Sequence, residues 1–293
     1  MRWAGLLLSL GVWACGGDKG AGPEEVTLQG RIAFESDRGG SVGIYHMGAA
    51  GGPVELLIDG PSYDGEPVWS PDGRRLAFTV VRDQAQFIYW WDREIGDLIV
   101  RLTSRQVREG LASWGPDGEQ VVFTSDHEGQ LDLFVASLGQ EAVRRLTLHR
   151  AEDAFPSWSP DGRRVAFHST RDGNFELYSM SIEGGEAVRL TNGPGEDSRP
   201  SWSPDGLRLA FASNRSGDYE IYTMAADGGD VVQVTDSPGF DGEPTWSPDG
   251  RHLAFVSDRD GNFEIYVIAA NGSDTVRLTE HPASDGHPSW GPR

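Results

Sequence analysis

The heptapeptide PSWSPDG at residues 156–162 decides the fold of this chain, because close copies of it recur at a fixed spacing. The copies read EPVWSPDG at 66–73, ASWGPDG at 112–118, PSWSPDG at 200–206, PTWSPDG at 244–250 and PSWGP at 288–292. Their tryptophans, at positions 69, 114, 158, 202, 246 and 290, are 44 or 45 residues apart. Self-similarity with such a period indicates a repeat protein in which each repeat is one supersecondary unit.

Each repeat reads as four short strands. A phenylalanine follows the tryptophan by nine residues and a second aromatic residue follows it by twenty, as Phe167 and Tyr178 do after Trp158. Turn sequences of the types SPDG, DRDGN and GG or NG separate the tryptophan segment from segments of the types RRLAF, EIYVI and VRLT. A four-stranded unit of this length predicts the blade of a β-propeller. The recurring aromatic residues are expected to pack between neighbouring blades.

The two ends of the repeat region predict how the ring closes. Residues 31–36 (RIAFES) read as a second strand with no first strand before it, and residues 287–290 read as a first strand at the other end. The two partial units sum to one blade, so the C-terminal strand is expected to complete blade one. Such closure removes the sheet edge that would otherwise template aggregation. The predicted fold is all-β, a six-bladed propeller of four-stranded blades over residues 31–293.

These motifs resemble the repeat of TolB-like propellers. WSPDG, the IAF-type strand, SDRDGN, the EIYVM-like strands and RLT make up that repeat, and the resemblance covers residues 31–293. The α/β domain that precedes the propeller in TolB has no counterpart in this sequence. The resemblance implies a periplasmic or extracytoplasmic propeller that most often binds other molecules. Similar repeats occur in propellers attached to prolyl oligopeptidase-type hydrolases, and related ones occur in some polysaccharide lyases.

Charge and cysteine content exclude several classes of function. Acidic residues outnumber basic ones by 45 to 25, which gives a formal net charge of −20. Nucleic-acid binding needs clustered lysine and arginine for phosphate contacts, so this class is excluded. The single cysteine, Cys15, allows neither an internal disulfide nor a cysteine-based zinc site.

The first fourteen residues predict a signal peptide. Arg2 precedes a 12-residue apolar stretch, Trp3 to Ala14, that is too short to span a bilayer. Ala14 and Cys15 resemble a bacterial lipobox, so we expect cleavage before Cys15 and its lipidation. An ordinary signal peptide with an incidental cysteine is the alternative. Residues 15–30 then form a Gly-rich tether of roughly 20 Å, and the expected location is the envelope, at the periplasmic side of the outer membrane or the cell surface.

Motifs of catalysis are nearly absent. Residues 39–43 match GxSxG, but they lie in a predicted hairpin turn rather than between a strand and a helix, where a nucleophile elbow lies. The seven histidines are scattered and show no HExxH spacing. No catalytic residue is therefore assigned.

Two polar positions recur in the blades. An acid lies five residues before each tryptophan, and a base lies thirteen residues after each of the first five, with Arg38 as its equivalent in blade one. By propeller topology both positions lie on one face, where they predict a ring at the channel mouth consisting of Asp64, Glu109, Asp153, Asp197, Asp241, Asp285, Arg38, Arg82, His127, Arg171, Arg215 and Arg259. The ring is either an acidic mouth for a cationic partner or a set of ion pairs that tie each blade to its neighbour. Its nearly balanced charge favours ion pairs.

The excess negative charge is then expected in the turns between second and third strands, at Asp37, Asp83, Asp126, Glu128, Asp172, Asp258 and Asp260. The run Asp258, Asp260, Asn262 and Glu264 resembles the opening of a calcium loop, but Ala269 stands where such a loop has its bidentate glutamate. Asp-Gly-Asn also suits a tight hairpin. We therefore expect no cofactor, with a divalent cation such as calcium as the lesser alternative.

Blade two departs from the repeat by one inserted residue and by Trp90 and Trp91. These tryptophans are either an exposed aromatic surface for binding or part of the edge packing of the blade.

Together these patterns predict a non-catalytic, lipid-anchored, monomeric propeller that binds a protein or glycan partner through its acidic loops, with a basic partner favoured. The alternative is a polysaccharide lyase or hydrolase with a site at the channel mouth. Residues that break the six-fold pattern there, such as His127 and His287, would be its candidates. A third alternative is a structural assembly component.

Overall fold

A computed structural model of the protein describes residues 28–60, 63–96, 98–104, 107–140 and 142–292. These residues form 24 strands in six four-stranded antiparallel sheets, which confirms the all-β, six-bladed propeller. Within these residues no helix has the length and apolar character needed to cross a bilayer. The expected signal peptide, Cys15 and most of the expected tether lie outside the described residues.

The six blades follow one another along the chain, except that blade one takes its first strand from the C-terminus. Blade one consists of β24 (Asp285–Gly291), β1 (Arg31–Ser36), β2 (Gly43–Gly48) and β3 (Glu55–Ile58). Blade two consists of β4 (Asp64–Trp69), β5 (Arg75–Arg82), β6 (Ala85–Asp92) and β7 (Ile99–Arg101). Blade three consists of β8 (Glu109–Trp114), β9 (Gln120–Ser125), β10 (Asp132–Ser137) and β11 (Val143–Arg145).

Blades four to six repeat this order with short outer strands. Blade four consists of β12 (Asp153–Trp158), β13 (Arg164–Ser169), β14 (Glu176–Ser181) and β15 (Val188–Arg189). Blade five consists of β16 (Asp197–Trp202), β17 (Arg208–Ser213), β18 (Glu220–Ala225) and β19 (Val232–Gln233). Blade six consists of β20 (Asp241–Trp246), β21 (His252–Ser257), β22 (Glu264–Ala269) and β23 (Val276–Arg277).

The C-terminal strand closes the ring as the sequence predicts. Strand β24 pairs antiparallel with β1, with Trp290 opposite Ile32 and Ser289 opposite Ala33. Ser289 also joins blade one to blade two, because its Oγ accepts the Trp69 amide at 2.9 Å. The indole of Trp290 donates to the carbonyl of Gln29 at 2.8 Å, so the last residues of the expected tether lie against blade one.

The aromatic residues of the repeat form the core between blades. Trp158 of blade four packs against Val122 and Leu133 of blade three as well as against Phe167 of its own blade. Phe167 is fully buried and stacks on Tyr178 with 6.0 Å between ring centroids. The same phenylalanine–aromatic pair is in contact in the other blades, so each boundary is closed by buried aromatic surface.

The SPDG turns form through side-chain hydrogen bonds of their own residues. In blade four the Ser159 hydroxyl donates to Asp161 Oδ1 at 2.6 Å, and the Arg163 amide donates to the same oxygen at 3.0 Å. Gly162 has a φ of 75°, which glycine adopts without steric cost. These turns fix the ends of the first and second strands.

The hairpin register gives the ring two distinct ends. In blade four Asp153, at the start of β12, lies opposite Ser169 at the end of β13, and Trp158 lies opposite Val165. The connections between blades and the turns between second and third strands therefore share one end, which we call the loop face. The SPDG turns and the turns between third and fourth strands share the other end, the tryptophan face.

The two extra tryptophans of blade two are half-buried. Trp91 packs edge-on against Trp69 with 6.4 Å between ring centroids, and the Arg75 guanidinium lies 5.5 Å from the centroid of Trp90. Both therefore have packing partners within the propeller.

Candidate functional site

A β-bulge in each inner strand places one residue per blade on the central channel. In blade four the register shifts between Ala154 and Ser157, and Phe155 takes a left-handed conformation with a φ of 52°. Left-handed backbone is uncommon outside glycine, and such residues cluster at functional sites. The bulged residues line the channel and lie three positions before each tryptophan; we call them the channel ring, which consists of Glu66, Leu111, Phe155, Arg199, Glu243 and His287.

The charged side of the channel ring is organised around His287. Its Nδ1 lies 3.2 Å from Glu35 Oε1, and its Nε2 lies 3.6 Å from Glu243 Oε1. Glu35 comes from β1, and its second oxygen accepts the Tyr63 hydroxyl at 2.8 Å and the Glu66 amide at 2.9 Å. One histidine and one glutamate thus join blades six, one and two.

Electrostatics keep this pair ionised. Burial alone would lower the pKa of His287, but the charges of Glu243 and Glu35 raise it to about 9. Burial alone would raise the pKa of Glu35, but its hydrogen bond and charge interaction with His287 lower it to about 2. At neutral pH His287 is an imidazolium between carboxylates, and it is not a free base.

Carboxylates of the channel ring also hold the bulges of the next blade. Glu66 Oε2 accepts the amide of Leu111 at 2.8 Å and the hydroxyl of Thr79 at 2.7 Å. Glu243 Oε2 accepts the amide of His287 at 2.7 Å. These bonds satisfy backbone donors that the bulges remove from the strand ladder.

The rest of the channel ring consists of Leu111, Phe155 and Arg199, of which only Arg199 is charged. Arg199 pairs with Glu243, and its guanidinium lies 4.6 Å from the ring centroid of Phe155. Phe155 in turn packs edge-on against His168, which is buried and stacks on Phe175. Burial, and the nearby charge of Arg199, lower the pKa of His168 to about 3, so this histidine is neutral.

Cavities lie on both sides of the channel ring. A cavity of about 210 Å³ extends from the ring toward the tryptophan face along the inner strands of all six blades. A cavity of about 430 Å³, which we call the mouth cavity, opens beside blades six and one on the loop face. Its lining includes Glu35, Asp37, Arg199, Glu243, His287, Phe240 and Phe263.

Aromatic residues form the outer wall of the mouth cavity. Phe240 packs edge-on against Phe263 with 5.7 Å between ring centroids, and Tyr219 lies behind Phe240 at 5.6 Å. Phe263 is 40% exposed. The mouth cavity therefore combines exposed aromatic surface with carboxylates, an arrangement typical of a recognition site.

The predicted acid–base ring lies beside this cavity, but its acids are buried. Arg38, Arg171, Arg215 and Arg259 pair with Asp285, Asp153, Asp197 and Asp241 at 2.7 to 2.9 Å. Each of these pairs lies within one blade, whereas the sequence interpretation placed the pairs between neighbours. The arginine reaches back from its own turn, because the hairpin register brings that turn over the first residue of the inner strand. In blade four the arginine also lies over Tyr178, 4.5 Å from the ring centroid.

Blades two and three differ from the other four. Arg82 is exposed and lies 5.7 Å from the Tyr89 centroid, while its counterpart Asp64 is buried. His127 lies 3.6 Å from Glu128 and edge-on to Phe134, while Glu109 is buried. The predicted set of twelve therefore forms four matching ion pairs and two variants.

The residues of the calcium-like turn hold one another and the neighbouring loop. Asn262 donates to Glu264 at 3.1 Å, Glu264 pairs with Arg277 at 2.9 Å, and Asp260 accepts the Tyr266 hydroxyl. Asp258 accepts the amide of Phe240 at 2.7 Å. Across the part of the chain that is described, no three or more histidine, cysteine, aspartate or glutamate side chains are grouped to hold a metal ion.

Sequence reasoning identified His287 but missed the other members of the channel ring. A repeat is recognised by the residues that its copies share, whereas this position holds five different residue types. The signal that could have found it is the following residue, which is proline in every blade but the third: Pro67, Pro156, Pro200, Pro244 and Pro288. A fixed proline beside a variable residue marks a shared backbone shape with a blade-specific side chain.

Comparison with known proteins gives one family. The family model described as "TolB beta propeller domain" matches residues 59–154, 150–238 and 232–293. The uncharacterised protein Atu1656 of Agrobacterium fabrum is 33% identical over 123 residues, which is 41% of this chain and 39% of that protein. The Tol-Pal system protein TolB of Francisella tularensis subsp. mediasiatica is 29% identical over 110 residues, which is 38% of this chain and 25% of that protein.

A solved structure shows the same fold. The crystal structure of TolB from Acinetobacter baumannii superposes with a TM-score of 0.79 at 22% identity, covering 90% of this chain and 67% of that one. The matches to the Agrobacterium and Francisella proteins named above cover well under half the length of each of those proteins. The likeness concerns the propeller.

Proposed function

Because the chain belongs to the TolB β-propeller domain family, we propose that it is a non-catalytic binding module of the bacterial cell envelope. The observation that carries the proposal is the mouth cavity, where the six-fold pattern breaks and exposed Phe263 lies beside carboxylates. The partner is a protein that presents basic and apolar residues together.

Charge on the loop face supports a basic partner. Asp37, Asp83, Glu128, Asp172 and Asp260 are exposed there, and the turn of Asp37 lines the mouth cavity itself. A focused negative potential raises the rate of encounter with a cationic surface and is screened by salt. Aromatic side chains beside the acids suit a guanidinium or ammonium group through cation–π contact.

The channel ring supports binding rather than catalysis. His287 is held between two carboxylates with a pKa of about 9, so it is neither free nor neutral at physiological pH. A general base needs a pKa near the working pH and access to its substrate. His287 is therefore not a favourable general base for a lyase or hydrolase reaction.

The test of the binding role uses crosslinking pull-down from intact envelopes with wild-type protein and two matched variants. Phe263→Ala removes exposed aromatic surface at the mouth cavity, and Leu207→Ala removes an exposed side chain on the tryptophan face. We expect the first variant to lose the captured partner and the second to retain it. Equal capture by both, or association whose rate does not fall between about 50 and 300 mM salt, would contradict the proposal.

Membrane attachment is a separate part of the proposal. Cleavage before Cys15 would leave a lipid anchor joined to the propeller through a Gly-rich tether. Replacing Cys15 by serine should move the protein from the membrane fraction to the soluble fraction without changing its melting temperature. Unchanged fractionation of Cys15→Ser would contradict lipidation and leave the binding role to its own test.

A further inference from the structure

At four of the six boundaries between blades, two buried acids lie together on the loop face. One acid begins the third strand of a blade, and the other begins the inner strand of the next. At the boundary of blades three and four these are Asp132 and Asp153, which are close enough to interact. Burial of two carboxylates is costly unless cations compensate both.

At three boundaries two arginines compensate the charges of the two buried acids. Asp132 pairs with Arg145 at 2.7 Å, Glu176 with Arg189 at 2.9 Å and Glu264 with Arg277 at 2.9 Å. The second acid of each boundary pairs with the arginine of its own turn, as described above. Each of these boundaries therefore holds two anions and two cations.

The boundary of blades five and six lacks one of these cations. Gln233 stands where blades three, four and six have Arg145, Arg189 and Arg277. Its amide donates to the carbonyl of Thr235 at 2.8 Å, as the guanidinium Nε of Arg189 does to Thr191 at 2.7 Å, but it carries no charge. Glu220 is left with two neutral donors, the hydroxyl of Thr235 at 2.6 Å and the amide of Ser237 at 2.9 Å.

A second substitution at this boundary adds negative charge. Asn174 and Asn262 donate to the glutamates of their own blades at 3.2 and 3.1 Å. The same repeat position in blade five holds Asp218, which accepts the amide of Gly239 at 3.2 Å. A carboxylate thus replaces a neutral donor next to Glu220.

Asp241 at this boundary is held by its arginine through one carboxylate oxygen only. Both carboxylate oxygens of Asp153, Asp197 and Asp285 are held by their arginines. Arg259 holds only Oδ2 of Asp241, at 2.7 Å, and Oδ1 is buried without a hydrogen-bond partner among the described residues. Glu220 lies within hydrogen-bonding reach of the Asp241 side chain. Two acceptors face each other with no donor between them.

We propose that this boundary binds a hard divalent cation, with calcium as the physiological class, through Asp241 Oδ1 and the Glu220 carboxylate. Ser237, whose hydroxyl lies 3.1 Å from Asp241 Oδ2, supplies a further oxygen. Calcium accepts carboxylate, hydroxyl, backbone and water oxygens in flexible geometry, so backbone and water oxygens would complete the coordination that the two carboxylates begin. The cation takes the place that a guanidinium fills at the three other boundaries.

The site is distinct from the turn of Asp258 and Asp260 and from the channel ring. It lies beneath the loop of residues 236–240, whose Phe240 lines the mouth cavity. Calcium bound at Asp241 and Glu220 would order that loop whether or not the mouth cavity binds a partner.

The test measures the melting temperature of the purified propeller with calcium chloride against sodium chloride of equal ionic strength. Calcium at about ten times its dissociation constant should raise the melting temperature of the wild type by roughly 2 to 5 °C. Gln233→Arg supplies the missing guanidinium and should abolish this response while raising the melting temperature without calcium. Gln140→Arg, at an exposed position, adds the same charge elsewhere and should retain the response.

Calorimetric titration with calcium gives an independent readout. We expect one site in the wild type and in Gln140→Arg, and none in Gln233→Arg. No calcium-specific shift in the wild type would overturn the proposal, as would an unchanged response in Gln233→Arg. Equal weakening by both arginine variants would show diffuse binding to an acidic surface and would overturn it as well.

Discussion

His287 on the closing strand lies 3.2 Å from the carboxylate of Glu35 on the neighbouring strand. The pair is bound to both adjacent blades, since Glu243 of blade six contacts His287 and the Glu66 amide of blade two donates to Glu35. The junction of the two chain ends is therefore held by ion pairs in the channel as well as by the strand ladder.

The stability of the propeller should depend on pH through this pair. The folded-state pKa of His287 is about 9, above its ordinary value, so its contribution is complete below about pH 6.5 and is lost as the pH rises through 9. The pKa of Glu35 is about 2, below its ordinary value, so its contribution is complete above about pH 4.5 and is lost as the pH falls through 2. Urea unfolding should give a free energy that is on the order of 2 kcal/mol lower at pH 10 than at pH 6.

The variant His287→Gln isolates this contribution. It should lower the free energy of unfolding at pH 6 and flatten its dependence between pH 6.5 and 9. Parallel pH profiles for wild type and variant would show that another group causes the dependence.

Removing the tryptophan of a regular blade should be far more costly than removing one of the extra tryptophans. Trp158→Ala leaves a cavity between blades three and four and should lower the free energy of unfolding by about 3 to 5 kcal/mol. Trp90→Ala, at a half-buried site in blade two, should lower it by less. Chemical denaturation of both variants checks this, and equal losses would contradict a core position specific to the repeat tryptophan.

The ion pairs of the loop face should be structural. Arg171→Ala leaves the buried carboxylate of Asp153 without its cation and should cost about 3 to 5 kcal/mol. The exposed Arg163→Ala in the same blade should change the free energy by no more than about 0.5 kcal/mol. The double variant Arg171→Leu, Asp153→Asn should recover part of the loss, and failure to recover any would show that the arginine acts through packing on Tyr178 instead.

Removing the closing strand should make the protein aggregate. A chain that ends at Ser284 loses β24, exposes the edge of β1 and removes the Ser289 hydroxyl that holds Trp69. Light scattering during refolding should show aggregation of this chain and not of one that lacks only residues 292–293. A soluble, monomeric product with full ellipticity would contradict the role assigned to the closure.

The repeated parts of the molecule could be predicted from sequence because each recurs at one position of a fixed period. Trp158, Phe167 and Tyr178 keep their kind of side chain in every blade where the position exists, so their burial follows from the period alone. Closure followed from counting strands at both ends. The pairing of Arg171 with Asp153 within a blade did not follow, because the period does not give the register of the hairpin that joins them.

The channel ring and the altered boundary could not be predicted in this way, because both depend on differences between repeats. Phe155, Arg199 and His287 share a backbone conformation that only the coordinates reveal. Gln233 appears in the sequence as an ordinary departure from the RLT motif. Its meaning depends on the buried acids beside it, whose counterparts in blades three, four and six pair with arginine.

The position of β1 between β24 and β2 also has a mechanical consequence. The chain enters β1 from the residues before Leu28 and runs along the ring axis with hydrogen bonds to a strand on either side. A pull on those preceding residues loads both ladders in shear along their length, and it does not peel away an outer strand bond by bond. Any membrane tether that precedes Leu28 would therefore pull on a strand that hydrogen bonds hold on both sides.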